Sequence, residues 1–396
     1  MKKILITYEN YLPKLSGVPI VLKYIAEGLV NQGYEVTIIT SSIDGTPDKE
    51  IINGVNIIRL NCRTTTLGYK GNKIEYLKYI KSKEWDLIIL VCSQCWTTDW
   101  VLKELDKVQV PKIFYPHGFS GLSINIFSDF KKCNIKKLIG KIIAKLRWNI
   151  YYKRFYVYMK KFDHVVYLSN HDNAKKYGDE HGIENYSIIE NAVNNIFFDQ
   201  ELNFDIVAQK YSLLGCKKYF ICVSNYIEEK RQEFSLEAFY KCEITNNYQM
   251  VYIGNNIRGD KYYKKLKQLK LKYDSIYGKR NVIFLEKVDR KHIPTILKNS
   301  KMSLFSSINE QYPLVVIESM ACKIPFISTN VGNVENLPGG IVINDINDMS
   351  NKIRNLIIDN NFYNKLSEQG YNYVIKNCTI SNSISKFDYI IKNTKR

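Results

Sequence analysis

The first forty residues carry a strand–helix–strand pattern, which limits the possible folds more than any other feature. Apolar runs over residues 3–7 and 34–40 predict buried strands. Between them, residues 18–32 repeat apolar side chains at helical spacing, and Gly33 is a natural helix stop. A helix between two buried strands is a βαβ unit. It requires a parallel sheet, because parallel neighbours need a long crossover.

The same alternation continues in two series. At 396 residues the chain is too long for one ordinary core, so two domains are expected. We predict one Rossmann-like domain over residues 1–195, a second over residues 196–375, and a terminal segment over residues 376–396. Further strands of the first domain are predicted over residues 55–60, 87–91, 112–115 and 164–168. The second domain is predicted to have strands over residues 219–223, 248–253, 282–285, 301–305, 325–329 and 341–343, and helices over residues 231–241, 260–273, 292–298, 313–322 and 349–359.

Composition and cysteine usage narrow the class of protein. The first six residues have only a short apolar run, which predicts a strand and no signal peptide. The sequence contains no stretch of about 20 apolar residues, which is the length needed to span a bilayer. The nine cysteines are scattered and do not form an even-numbered disulfide framework, which indicates reduced thiols. A cytosolic location is therefore expected. Cys92 and Cys95 form one C-x-x-C, but no second pair stands at zinc spacing, so no metal is predicted.

Two carboxylates eight positions apart, Glu310 and Glu318, flank a predicted helix start at Pro313. Proline is favoured at the first helical position, so Glu310 is expected in the loop and Glu318 on the helix. The free N–H groups of the first turn and the helix dipole suit a phosphate. A carboxylate beside a phosphate is expected to accept hydrogen bonds from sugar or ribose hydroxyls. The pattern indicates a nucleotide-sugar pocket, with a solvated charged helix as the alternative.

This segment resembles the E-x7-E motif of the retaining glycosyltransferases with the GT-B fold, in particular those of family 4. The resemblance implies an α/β fold of two Rossmann-like doubly wound domains with the site in the cleft between them. It implies that Glu310 contacts the donor sugar and that Glu318 holds ribose hydroxyls. It also implies that a helix over residues 379–392 returns to the first domain. The match includes Pro313, Met320, Ala321 and Pro325.

A departing diphosphate needs stabilisation by a cation, a metal ion or a helix terminus. The sequence contains no Asp-x-Asp, so we expect metal-independent chemistry without a cofactor, with the nucleotide-sugar as substrate. Residues 222–230 resemble the family segment in which Arg and Lys grip the phosphates. Lys230 matches the Lys, whereas Asn225 stands where many members have Arg. Arg231 or Arg258 is the candidate for the second cation.

Two segments of the first domain complete the expected site. His117 ends a predicted strand and resembles the His-Gly pair under the donor sugar, the alternative being a structural histidine. Gly17 ends a loop that resembles the glycine-rich loop near the diphosphate and acceptor, where glycine permits close backbone approach. The predicted catalytic residues are His117, Glu310 and Lys230. The predicted residues for the donor nucleotide and its phosphates are Gly17, Asn225, Lys230, Arg231, Tyr312, Pro313, Leu314 and Glu318.

The net charge of +18 is concentrated between Lys131 and Lys161, where eleven Lys and Arg residues occur without an acidic residue. Apolar residues at helical spacing share this segment with Trp148, Tyr151 and Tyr152. This composition predicts a helix on an anionic membrane surface. The alternative is a domain helix whose apolar stripe packs on the sheet. Interleaved basic and aromatic residues also suit single-stranded nucleic acid, but no nucleic-acid partner is expected beside a sugar-nucleotide site. The apolar stripe is Leu138, Ile139, Ile142, Ile143, Leu146 and Ile150, and the predicted membrane-binding residues are Lys136, Lys137, Lys141 and Lys145.

These patterns and the family resemblance predict a hexosyltransferase, and the resemblance implies that it is a retaining enzyme. It would move a sugar from a UDP- or GDP-linked donor to a lipid-linked glycan or a surface polysaccharide precursor. We expect it in the cytoplasm, peripheral on the inner face of the cell membrane. Two rivals stay open: a GT-B nucleotide-sugar epimerase, and a catalytically silent GT-B subunit that supports a partner glycosyltransferase. Asn225 in place of Arg supports the silent subunit.

Overall fold

The computed structural model describes residues 1–396 except 15–16, 67, 124–134, 200–201, 214–217 and 395–396. The chain folds as two compact units. Unit 1 comprises Met1–Asn191 together with Ile380–Arg396, and unit 2 comprises Ala192–Thr379. Unit 1 is therefore assembled from two separate parts of the sequence, whereas unit 2 is continuous.

Unit 1 is built on an eight-stranded sheet in the order β10-β9-β8-β7-β1-β2-β4-β3, and β5 and β6 form a separate hairpin. All neighbours in the sheet are parallel except β3, which is antiparallel to β4. Ile4 of the first strand pairs with Val36 on one side and Leu87 on the other. The strand order therefore reverses between the first and seventh strands. The strands are β1 (Lys3–Thr7), β2 (Glu35–Ser41), β3 (Lys49–Ile52), β4 (Val55–Leu60), β5 (Arg63–Thr65), β6 (Gly68–Lys70), β7 (Leu87–Val91), β8 (Lys112–Tyr115), β9 (His164–Tyr167) and β10 (Tyr186–Ile188).

The helices of unit 1 cover this sheet with apolar faces. The first helix buries Ile20, Val21, Ile25 and Leu29, which recur at helical spacing. The fourth helix buries Tyr152, Phe155 and Met159 in the same core as the sheet. Among the helices of the described residues, none combines the length and the apolar character needed to cross a membrane. The helices are α1 (Gly17–Asn31), α2 (Lys73–Ile80), α3 (Trp96–Asp99), α4 (Ile135–Met159) and α5 (Asn173–Glu180).

Unit 2 is built on a six-stranded parallel sheet in the order β13-β12-β11-β14-β15-β16. Its strand order reverses between the eleventh and fourteenth strands. The strands are β11 (Tyr219–Val223), β12 (Gln249–Ile253), β13 (Val282–Leu285), β14 (Met302–Phe305), β15 (Phe326–Thr329) and β16 (Gly340–Ile343). The helices are α6 (Ile196–Asp199), α7 (Phe204–Lys210), α8 (Gln232–Lys241), α9 (Lys261–Tyr277), α10 (Ile293–Lys298), α11 (Leu314–Ala321), α12 (Ile346–Ile358) and α13 (Asn360–Asn377).

The last helix, α14 (Ile380–Asn393), belongs to unit 1. It packs on α1, where a Cβ added at Gly28 would lie 2.0 Å from Ile384 Cδ1. Phe387 is fully buried, and Tyr34 donates a hydrogen bond to Asp388 over 2.7 Å. A glycine on α1 thus lets the two helices approach closely.

The predicted α/β class is confirmed, and several strands, including β4, β7, β8, β11 and β13, have the predicted bounds. The helix expected to open at Pro313 begins instead at Leu314, because Pro313 has an extended backbone with ψ of 117°. The helix expected over residues 260–273 continues to Tyr277 and ends at Gly278, whose φ is +88°. The short strands β3, β5, β6 and β10 and the helix α13 were not predicted.

Candidate functional site

The carboxyl edge of the unit 2 sheet brings Lys230 and Glu310 together where the strand order reverses, which is where open α/β sheets bind ligands. Lys230 lies in the turn after β11, and Glu310 lies in the loop after β14. Their side chains form an ion pair, and Lys230 Nζ lies 5.8 Å from the centroid of the Phe305 ring. Ile308 N donates a hydrogen bond to Glu229 O over 3.0 Å, which joins the two loops. Two of the residues predicted as catalytic are therefore in direct contact.

Glu318 lies on α11 with only 2% of its surface exposed. One carboxylate oxygen, Oε1, accepts a hydrogen bond from Arg290 Nη2. The other, Oε2, is buried and has no hydrogen-bond partner among the described residues. Burial raises the pKa of Glu318, and the Arg290 guanidinium opposes that rise. Because an unsatisfied buried acceptor is costly, Oε2 is suited to accept a hydrogen bond from a ligand hydroxyl.

The start of α11 has the features expected of an anion site. Pro313 precedes the helix, and no side chain caps its first N–H groups. With no acidic residue in the first turn, which begins at Leu314, the positive end of the helix dipole is not neutralised there. The ring of Tyr312 points inward, since the residue is 4% exposed and its hydroxyl lies 3.4 Å from Cys378 Sγ. A donor-binding role for Tyr312 is thus restricted to its backbone.

The remaining predicted donor residues of unit 2 have local partners. Asn225 Oδ1 accepts a hydrogen bond from Asn255 N over 3.3 Å and so links the loops after β11 and β12. The Arg231 guanidinium lies 4.6 Å from the centroid of the Phe234 ring. The third candidate cation, Arg258, is 64% exposed. Arg290 is the arginine that reaches a carboxylate of the predicted site, that of Glu318.

Sequence reasoning missed Arg290, which lies in a short turn after β13. Its guanidinium carbon lies 5.3 Å from the centroid of the Phe197 ring and its Nη2 donates to Glu318. The sequence did contain a signal for Arg290. The strand β13 was predicted correctly, and Arg290 follows its carboxyl end, at the same edge of the sheet as Lys230. Its pairing with Glu318 could not be read from the sequence, since the two residues lie 28 positions apart.

Gly332 lies in the segment that resembles the family motif, but no structural role was predicted for it. Its φ of +58° is a backbone conformation that favours glycine. A Cβ at this position would lie 2.3 Å from Gln311 O and 2.8 Å from Glu310 O. Asn333 N donates a hydrogen bond to Gln311 O over 3.1 Å. The absence of a side chain at Gly332 therefore permits the close packing of the loop that carries Glu310.

Unit 1 carries the other predicted site residues. His117 follows β8 with φ of +52°, is 9% exposed, and its Nε2 has no hydrogen-bond partner among the described residues. Burial lowers the pKa of His117 to about 3, so the imidazole is neutral at physiological pH. Its ring centroid lies 3.9 Å from that of Tyr115. Gly17 is the first residue of α1, with open space where a side chain would stand.

The helix α4 exposes much of the apolar stripe seen in the sequence. Trp148, Tyr151 and Tyr152, expected near the surface, pack instead against the core of unit 1, and Tyr152 is 2% exposed. Lys141 and Lys145 are half-buried on the helix, while the side chains of Lys136 and Lys137 lie outside the described residues. The alternative in which the stripe packs on the sheet is therefore wrong for the described part of the helix. The exposed residues are Ile139 at 50%, Ile142 at 38%, Ile143 at 60%, Leu146 at 58% and Ile150 at 70%.

Across the part of the chain that the structure describes, no three His, Cys, Asp or Glu side chains are grouped so as to hold a metal ion.

Two family sequence models match the chain. Residues 15–195 match the family described as Glycosyltransferase Family 4. Residues 204–373 match the family described as Glycosyl transferases group 1. The two matches lie in consecutive parts of the chain and leave short stretches unmatched.

Several known proteins are similar to nearly the whole chain. A probable sucrose-phosphate synthase of Thermosipho melanesiensis is 24% identical over 406 aligned positions, covering 93% of this chain and 88% of that protein. The solved sucrose-phosphate synthase of Thermosynechococcus elongatus aligns with a TM-score of 0.74 at 17% identity, covering 99% of this chain and 98% of that one. HepE of Anabaena, solved in complex with UDP-glucose, aligns with a TM-score of 0.69 at 14% identity, covering 99% of this chain and 100% of that one. The structural matches establish a shared fold.

Replacing Gly332 by Ala should weaken nucleoside diphosphate binding on the order of tenfold. The new Cβ would meet backbone oxygens of the loop that carries Glu310, so that this loop would have to shift. Gly182→Ala is the matched control, since Gly182 has φ of +68° and open space around it. Isothermal titration of both variants with UDP and GDP measures the effect. Equal affinities in the two variants would contradict the role given to Gly332.

Proposed function

The chain belongs to the glycosyltransferases of the GT-B fold related to family 4, and on this premise we propose that it moves a sugar from a UDP- or GDP-linked donor to an acceptor with retention of configuration. The observation that carries the proposal is the pair of carboxylates, Glu310 beside Lys230 and Glu318 beside Arg290, around the start of α11. We propose a lipid-linked glycan or surface polysaccharide precursor as the acceptor.

The donor nucleotide is proposed to bind unit 2. Glu318 would accept hydrogen bonds from ribose hydroxyls, one of them at the buried oxygen that has no partner among the described residues. The diphosphate would lie at the uncapped start of α11, with Lys230 as its cation. In the structure Lys230 pairs with Glu310, so the donor would insert a phosphate beside Lys230 and a sugar hydroxyl beside Glu310. The similarity to HepE, which was solved in complex with UDP-glucose, supports a nucleotide-sugar donor.

Transfer would proceed without a metal ion. The charge on the leaving diphosphate grows in the transition state, so Lys230 and the start of α11 would stabilise that state more than the bound donor. Retention follows if the departing phosphate deprotonates the attacking hydroxyl on the same face of the sugar. His117, neutral because of its burial, is proposed to donate or accept a hydrogen bond with the sugar and not to transfer a proton.

A second candidate is a catalytically silent subunit that binds the nucleotide and supports a partner glycosyltransferase. The observation that favours it is Asn225, which brings no charge where many relatives have Arg and whose side chain accepts a bond from Asn255 N. Tight nucleotide binding without donor hydrolysis or transfer would support this candidate. An epimerase would convert the donor without any acceptor.

We propose that α4 attaches the protein to the anionic inner face of the cell membrane. Its exposed apolar stripe includes Ile143, Leu146 and Ile150, and basic residues flank the stripe along the helix. Each Lys or Arg near an anionic surface contributes about 1 kcal/mol. The seven cysteines among the described residues are free thiols, which supports a cytoplasmic location.

Transfer should occur in the presence of EDTA. Purified protein would be incubated with radiolabelled UDP- and GDP-sugars and a panel of lipid-linked and soluble glycan acceptors, with and without the chelator. Labelled product with unchanged anomeric configuration is expected in both conditions, because Lys230 and the start of α11 replace a metal ion. Activity that vanishes with EDTA and returns with magnesium or manganese would overturn the metal-free mechanism.

Glu318→Ala should weaken nucleoside diphosphate binding, since a hydrogen bond to a charged group contributes about 1.5–3 kcal/mol. Glu310→Gln should instead retain nucleotide affinity and lower the turnover number, because its proposed contact is to the sugar. Calorimetric titration with UDP or GDP and single-turnover transfer separate the two effects. A folded Glu318→Ala variant with unchanged nucleotide affinity would remove Glu318 from the binding site.

Sedimentation with liposomes tests membrane attachment. Binding to anionic vesicles should exceed binding to neutral ones and should fall as salt shortens the screening length from about 10 Å at 0.1 M to about 3 Å at 1 M. Changing Lys136, Lys137, Lys141 and Lys145 together to Gln should release the protein, with transfer to a soluble acceptor retained in the absence of vesicles. Equal binding to both kinds of vesicle would refute the proposal. The matched control removes four exposed lysines from α9: Lys261, Lys264, Lys267 and Lys272.

A further inference from the structure

One half-buried carboxylate, Asp99, joins three parts of unit 1. Asp99 Oδ2 accepts a hydrogen bond from the Tyr69 hydroxyl on strand β6. Its Oδ1 accepts from the Tyr151 hydroxyl on α4 over 2.8 Å and from Gln94 N, in the loop after β7, over 3.2 Å. The β5–β6 hairpin, the helix α4 and the carboxyl end of β7 are thus tied through a single side chain.

A second contact ties the hairpin to α4. Arg147 Nη1 donates a hydrogen bond to Thr66 O, at the turn of the hairpin, over 2.7 Å. Arg147 and Tyr151 lie on the same turns of α4 as Leu146, which is 58% exposed, and Ile150, which is 70% exposed. The helix turns that hold the hairpin are therefore the same turns that present apolar side chains to the outside.

The other strand of the hairpin, β5, holds a carboxylate at the carboxyl edge of the sheet: its Thr64 pairs directly with Tyr69 of β6. Thr64 Oγ1 donates a hydrogen bond to Glu9 Oε2 and accepts one from Trp96 N over 3.2 Å. Glu9 follows β1 and Trp96 follows β7, and the order of the unit 1 sheet reverses between these two strands. Such a reversal is where parallel sheets bind ligands, so Glu9 occupies a position from which it can accept a hydrogen bond from an acceptor hydroxyl.

We propose that Asp99 is a positioning residue that fixes the β5–β6 hairpin to α4, so that seating α4 on an anionic lipid surface orders the hairpin and sets the Glu9 carboxylate for the acceptor. Contact with lipid then improves use of the acceptor, even when that acceptor is itself soluble. The inference rests on the membrane attachment proposed above. It adds that attachment changes the geometry of unit 1 as well as the location of the protein.

The test measures transfer to a short soluble acceptor with and without anionic vesicles. Wild-type protein should show an acceptor KM lower on the order of tenfold with vesicles, the effect of one hydrogen bond to a charged group, and an unchanged donor KM. Tyr69→Phe removes only a hydroxyl, and the Tyr69 ring can keep its edge contact with Trp100. This variant should bind vesicles as wild type does, but vesicles should lower its acceptor KM much less than they lower that of wild type. Arg147→Lys, which keeps the charge of α4, should lose part of it.

Hydrogen exchange supplies a readout that does not depend on activity. Vesicles should slow exchange at residues 63–66 and 68–70 of the wild-type protein and leave it unchanged in Tyr69→Phe. The matched control is Tyr389→Phe on α14, where the tyrosine is 69% exposed and a hydroxyl is lost far along the sequence from the hairpin. It should behave as wild type in both measurements.

The possible failures are distinguishable. If wild type binds vesicles without a change in acceptor KM or in hairpin exchange, the coupling is wrong and the membrane attachment stands. The coupling is also wrong if Tyr69→Phe responds to vesicles as fully as wild type. If wild type does not bind anionic vesicles at all, both the coupling and the attachment fall, whereas transfer measured without vesicles still tests the glycosyltransferase function.

Discussion

The structure depends above all on the parallel pairing of its strands. A parallel neighbour can be reached only by a crossover, so in each sheet the loops after the parallel strands open at one edge. Where the strand order reverses, neighbouring loops lead away from each other and leave room for a ligand. In unit 2 this reversal lies between β11 and β14 and places Lys230 against Glu310. In unit 1 it lies between β1 and β7 and places Glu9 beside the hairpin.

Charge is balanced within the candidate site of unit 2. Lys230 pairs with Glu310 and Arg290 pairs with Glu318, so each carboxylate already holds a cation. An arrangement of this kind lowers the cost of keeping charges at buried and half-buried positions, because removing one partner would leave an uncompensated charge. On the proposed function, an incoming diphosphate would therefore compete with Glu310 for Lys230. We expect the net affinity to reflect this exchange more than the sum of new contacts.

The sequence predicted the α/β class and most central strands, because buried parallel strands are continuous apolar runs that need no long-range information. It failed on β3, β5, β6 and β10, which are three or four residues long and lie at an edge or outside the main sheets. Within the site, the motif drew attention to both Glu310 and Glu318. Their partners could be recognised only in part. Arg290 contacts Glu318 because the turn after β13 lies beside α11, and no local sequence pattern shows this. Similarly, the stripe on α4 was visible, but which of its faces would be covered depended on how Trp148, Tyr151 and Tyr152 pack.

The position of α14 has a consequence for how the protein is made. Unit 1 is discontinuous: its sheet is translated first, yet Phe387 and Ile384 of α14 are translated only after the whole of unit 2. Chains emerge from the ribosome at about 5–20 residues per second, and domains generally fold as units in the order of synthesis. Unit 2 can therefore complete its native contacts from one continuous segment. Until α14 is synthesised, the surface of α1 around Gly28 in unit 1 stays uncovered. Unit 1, which is synthesised first, is therefore the last unit to complete its fold.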